Sequence, residues 1–99
     1  MNNPTGERLK GVKVQVVDDE EVLAWSIATE LKKLGAEVKK SVTATSARHD
    51  FDQFVPDVVI CDLKLPDGNG LDLLKEWREK ISTLPVILIT AHGGVETAI

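Results

Sequence analysis

The spacing of apolar residues changes period several times along the chain. Val12, Val14 and Val16 alternate with polar neighbours before Val17 closes the run, and their β-branched side chains suit a buried strand. From Glu20 to Leu34 the period lengthens. Leu23, Ile27, Leu31 and Leu34 fall at helical spacing, with Gly35 as a stop. AEVKK at 36–40 alternates again, as a lysine-flanked strand does at a sheet edge. Ala47, Phe51 and Phe54 return to helical spacing, with Thr45 or Ser46 as candidate caps and Pro56 beyond the end. VVICD at 58–62 is a continuous apolar run, the pattern of a strand covered on both faces. LPDGNG at 65–70 is dense turn chemistry. Leu71, Leu74 and Trp77 mark a third helix ending near Lys80, and PVILIT at 85–90 is a fourth buried strand. After Gly93 and Gly94, VETAI reads as the first turns of another helix.

Strands thus alternate with helices, which predicts right-handed crossovers and a doubly wound parallel sheet, an α/β fold with helices on both faces. Ninety-nine residues make one such domain. Residues 1–10 form a polar N-terminal extension, and residues 11–99 form the domain. Composition is globular, at 42% hydrophobic and 28% charged. Twelve Lys and Arg against sixteen Asp and Glu leave a net charge of −4, which argues against a grip on nucleic acid. The single cysteine, Cys61, excludes an internal disulfide. The apolar runs fall short of the roughly 20 residues of a membrane helix. MNNPTGERLK holds no hydrophobic stretch of the kind a secretory signal needs, so the expected location is cytoplasmic.

In such a sheet, chemistry gathers beyond the carboxyl ends of the strands. The first strand ends in Asp18 and Asp19, followed by Glu20 and Glu21; the third ends in Asp62 and the fourth in Thr90. Carboxylates converging in one loop cluster repel one another unless a divalent cation joins them, and hard oxygen ligands suit Mg²⁺. The Thr90 hydroxyl, one strand away, is placed to donate to a phosphoryl oxygen. The competing structural reading makes Asp18 or Asp19 a cap for the helix that starts near Glu20. Asp62 and Thr90 at corresponding strand ends weigh against it. Cys61 and Trp77 read as packing residues, His49 as exposed, and Trp25 as partly exposed. Pro66, Gly68 and Gly70 read as shaping the loop after Asp62.

These residues sit in three motifs, VVDDE at 16–20, CDLKLPDGNGLDLL at 61–74 and ILITAHGG at 87–94. In order and spacing they resemble the receiver domain of bacterial two-component response regulators. The ending TAHGGVETAI is most similar to receivers of sigma-54-dependent transcription activators. The resemblance implies a flavodoxin-like (CheY-like) fold and a phosphoacceptor that switches an output domain. Asp62 matches the aspartate that takes a phosphoryl group from a sensor histidine kinase. Asp19 matches the carboxylate that binds Mg²⁺ directly, Asp18 one that acts through metal-bound water, and the Lys64 backbone carbonyl a third protein ligand. Thr90 matches the hydroxyl that bonds the phosphoryl group and moves on switching. Ala91 matches a small residue that keeps the site accessible, while Lys64 and His92 fall where side chains tune the lifetime of the aspartyl phosphate. No enzymatic turnover is implied beyond the domain's own phosphorylation and dephosphorylation.

The complete family also has a fifth strand carrying a lysine that pairs with the phosphoryl group, and a fifth helix. The last lysine here is Lys80, so no residue takes that role. The chain reads as a C-terminally truncated receiver with strand order 2-1-3-4. An alternative is a receiver-like interaction domain that is never phosphorylated. A phosphatase of the haloacid-dehalogenase type is disfavoured, because it needs a second carboxylate where this chain has Lys64. With no fifth strand, PVILIT is expected to be an open edge, and self-association into a homo-oligomer through it is expected.

Overall fold

A computed structural model describes residues 8–90 together with the backbone of residues 95–98. In chain order the elements are β1 (Lys13–Val17), α1 (Glu21–Lys33), β2 (Glu37–Ser41), α2 (Ala44–Phe54) and β3 (Val58–Asp62). There follow β4 (Lys64–Leu65), β5 (Gly68–Asn69), α3 (Gly70–Lys80), β6 (Val86–Ile89) and β7 (Val95–Ala98). The main sheet has the order β2-β1-β3-β6-β7. Its first four strands are parallel, which is the expected 2-1-3-4 arrangement with β6 as the fourth strand. The registers Val17↔Ser41, Val17↔Cys61 and Asp62↔Ile89 bring the carboxyl ends of these strands level at one edge.

Alternate residues of β1 and β3 feed two cores, and Val86 and Leu88 of β6 join the first. Val59 and Cys61 of β3 pack with Val17, Ala47, Phe51, Leu73 and Trp77 on the side of α2 and α3. Val58 and Ile60 pack with Val14, Val16, Ala24 and Ala36 on the side of α1. This two-sided burial is why the run at 58–62 shows no alternation. The same burial reaches Gln15, a polar position in the sequence pattern, which is fully buried beneath α2. Its Nε2 donates to Ser41 Oγ at 3.1 Å and to the Ala47 carbonyl at 3.0 Å.

Several local expectations are corrected. Helix α1 turns Ala24 and Ala28 to the sheet, small residues that allow close approach, and leaves Leu23 exposed. Helix α2 is capped by Thr43, not Thr45 or Ser46; Thr43 and Ser46 form a reciprocal capping box. Helix α3 buries Leu73 and Trp77, and Leu71 is exposed. Trp77 stacks on Phe51 with ring centroids 4.6 Å apart.

Residues 95–98 are not a helix start. They form β7, antiparallel to β6, in a register from Ile89↔Val95 to Val86↔Ala98. One helical turn is unstable in isolation, whereas a strand edge offers partners to every second backbone group. Strand β6 is therefore an inner strand, and the open edge on which self-association was expected is filled by the chain itself.

Candidate functional site

Strand β1 delivers Asp18 to the level edge, and its N–H donates to the Ser41 carbonyl at 2.9 Å. The Asp18 side chain is buried, while Asp19 beside it is exposed. Asp18 Oδ1 accepts the Glu20 N–H at 2.9 Å. The cap of α1 is Glu20, whose carboxylate accepts the Val22 N–H at 3.1 Å, so neither Asp18 nor Asp19 fills that role. Asp18 Oδ2 is buried with no hydrogen-bond partner among the described residues. Burial pushes the Asp18 carboxyl up to about 6, and the neighbouring Asp62 charge adds to the rise against the opposing Glu20 amide.

Asp62 closes β3 and is 7% exposed. Its main chain is boxed in: the Leu63 N–H donates to the Ile89 carbonyl and the Gly70 N–H to the Leu63 carbonyl, both at 2.9 Å. Gly70 lies so close that a Cβ there would come within 2.5 Å of the Asp62 carbonyl oxygen. Asp62 Oδ1 accepts the Lys64 N–H at 3.1 Å. Just before it, Cys61 is buried in the core, and that burial pushes its thiol up to about 12, consistent with a packing residue.

Asp18, Asp19 and Asp62 each bring a carboxylate oxygen within 4.8 Å of the others. These three line a pocket with Glu20, Leu23, Ile89 and Thr90. The structure thus brings together Asp18, Asp19, Asp62 and Thr90, with the Lys64 backbone bonded to Asp62. Ala91 and His92 lie outside the described residues. The donor set is oxygen only, carries a converging negative charge, and includes a buried carboxylate oxygen without a partner. It fits a hard divalent cation such as Mg²⁺.

Two polar residues went unremarked in the sequence. Gln15 looked like the polar half of an alternation, and nothing local betrays its burial. Asp67 looked like an ordinary turn residue, yet its carboxylate binds the start of α2, 22 and 23 residues away in sequence. No short-range signal announces such a contact.

Residues 14–99 match the response regulator receiver domain family. The chain is 35% identical over 83 residues to the virulence transcriptional regulatory protein PhoP of Salmonella typhimurium, covering 84% of this chain and 37% of that protein. It is 36% identical over 87 residues to the regulatory protein AtoC of Escherichia coli, covering 88% of this chain and 19% of that one. The chain therefore spans well under half of these curated relatives. Among solved structures, the non-phosphorylated HemR receiver domain from Leptospira biflexa superposes with a TM-score of 0.77 at 31% identity, covering 84% of this chain and 67% of that one. The beryllofluoride-activated NtrC4 receiver domain dimer gives a TM-score of 0.75 at 30% identity, covering 83% and 68%.

Proposed function

This chain belongs to the response regulator receiver domain family, and from that membership we propose that it takes a phosphoryl group from a sensor histidine kinase onto Asp62. The observation that carries the proposal is the meeting of Asp18, Asp19 and Asp62 in one pocket with Thr90 on its wall. An Asp62 carboxylate oxygen attacks phosphorus in line with the departing imidazole. The new P–O bond forms as the P–N bond breaks, and the imidazole keeps its proton. The Lys64 N–H, bonded to Asp62 Oδ1, fixes which oxygen is free to attack. Asp18, Asp19 and the Lys64 carbonyl, with Asp62 itself, would hold Mg²⁺. Bound there, the ion supplies charge neutralisation between an anionic carboxylate and an anionic phosphoryl group. Thr90 donates to a phosphoryl oxygen and carries the change to the segment after β6.

Phosphorylation adds roughly 1.5–2 negative charges at one strand end, and the readout is an output domain in the full-length protein. That output is transcriptional: PhoP and AtoC are named as regulators, and the ending TAHGGVETAI resembles receivers of sigma-54-dependent activators. No helix among the described residues is long and apolar enough to cross a membrane, in keeping with a cytoplasmic regulator. Beyond its own phosphorylation and dephosphorylation the domain turns nothing over. Homo-oligomerisation through β6 forms no part of the proposal, because β7 fills that edge.

Incubation with acetyl phosphate and Mg²⁺, followed by intact-mass spectrometry, tests the reading. A single phosphate adduct is expected in the parent and none in Asp62→Asn. A parent that stays unmodified would leave an interaction domain that is not phosphorylated.

A further inference from the structure

The loop that carries Lys64 is a short antiparallel hairpin, with Lys64 paired to Asn69 and Leu65 to Gly68 across a Pro66–Asp67 turn. An isolated hairpin of this size has little stability in water, so its position depends on what fastens it. One end is held beside Asp62 through the Gly70 N–H bond to the Leu63 carbonyl. The tip is held by Asp67. Its Oδ1 accepts the Ala44 N–H at 2.7 Å, and its Oδ2 accepts the Thr45 N–H at 3.0 Å and the Thr45 hydroxyl at 2.7 Å.

The Ala44 and Thr45 N–H groups belong to the first turn of α2, which has no intrahelical acceptors for them. The other two unsatisfied donors are met by the capping box: the Ser46 N–H donates to the Thr43 hydroxyl and the Thr43 N–H to Ser46 Oγ, and the Ala47 N–H then makes the first intrahelical bond, to the Thr43 carbonyl. The start of α2 is thus completed by a carboxylate from another element, where a negative charge is favoured. Close approach supports the same docking, since a Cβ on Gly68 would sit 3.1 Å from Ala44 Cβ. Helix α2 is itself anchored, through the Gln15 bond to the Ala47 carbonyl and the stack of Phe51 on Trp77.

We propose that Asp67 is a positioning residue of the phosphoacceptor site: by bolting the hairpin tip to the N-terminus of α2, it holds the Lys64 backbone in place against Asp62. The proposal rests on the reading of Asp62 as phosphoacceptor. Asp67 itself touches neither the carboxylate cluster nor the pocket. Its effect passes through the hairpin, from the tip at Asp67 to the Lys64 N–H on Asp62 Oδ1.

The test compares Asp67→Ala with Thr43→Ala in the 99-residue chain. Both remove bonds from the first turn of α2, but only the first frees the hairpin. Both variants are expected to lower the melting temperature. Well below melting, Asp67→Ala is expected to raise the Kd for Mg²⁺ about tenfold, the size usual for lost outer partners of a metal site. It should also slow phosphorylation by acetyl phosphate and speed hydrogen exchange at the Lys64 amide. Thr43→Ala should leave all three near the parent values. Asp67→Asn, which keeps one acceptor oxygen, should recover part of the loss. If Asp67→Ala binds Mg²⁺ and reacts as Thr43→Ala does, the carboxylate is a helix cap only and the proposal is overturned. If the parent itself neither binds Mg²⁺ nor reacts, the phosphoacceptor reading fails and takes this proposal with it.

Discussion

Asp18 and Asp67 are two aspartates with opposite electrostatic histories. Burial holds the Asp18 carboxyl at about 6 against its usual 3.8, so the folded chain keeps a proton there that the unfolded chain has released. The metal-free fold should therefore gain stability as pH falls from 7 through 6 towards 3.8, and charged Asp18 opposes folding above that window. Replacing Asp18 by Asn should stabilise the metal-free chain at pH 7 by about 1–3 kcal/mol and flatten the rise between pH 7 and 5. Urea denaturation of parent and variant at both pH values checks this. An Asp18→Asn chain less stable than the parent at pH 7 would mean that the buried charge is compensated. Asp67 behaves oppositely. Hydrogen bonds from Thr45 and Ala44 hold it at about 2 against the usual 3.8, so its contribution is complete above the usual carboxylate range and is lost progressively as pH falls from 3.8 through about 2.

At the scale of elements, the site is carried by close contacts around Asp62 and beneath α3. Gly70 begins α3 directly over the Asp62 carbonyl, where a methyl group has no room. Gly70→Ala should cost about 1–3 kcal/mol through forced backbone movement, and should lower phosphorylation of Asp62 as well. Melting curves and the acetyl phosphate reaction report the two effects separately. Trp77, stacked on Phe51 between α3 and α2, should cost about 3–5 kcal/mol when changed to Ala, measured by denaturant unfolding. The four parallel strands, three helices and carboxylate-bearing strand ends were legible in the sequence, because each is written in local periodicity. What was not legible depends on tertiary partners. The strand at 95–98 exists because β6 offers an edge, Gln15 is buried because α2 covers it, and Asp67 caps a helix that precedes it in the chain. The stripe on α1 holds at Ile27 and Leu31, which pack against the core, and fails at Leu23 for a related reason. The sheet accepts Ala24 and Ala28, while Leu23 lies at the pocket rim.

For the whole molecule, the level strand ends concentrate negative charge at one edge of a sheet whose two faces are packed by helices. The opposite strands at the sheet margins differ in kind. Strand β2 carries exposed lysines, and β7 covers the apolar β6. With β6 paired along its length, the 99-residue chain should sediment as a monomer at micromolar concentration. A concentration-dependent dimer would indicate that the β6 pairing is made between chains. The central claim is the chemistry of Asp62, and the most direct measurement locates the acyl phosphate itself. The chain is treated with acetyl phosphate and Mg²⁺ and reduced with borohydride, which converts a phosphorylated aspartate to homoserine; its peptides are then sequenced by mass spectrometry. Homoserine at position 62 alone is the predicted result. Homoserine at Asp18, Asp19 or another carboxylate, with Asp62 intact, would contradict the account.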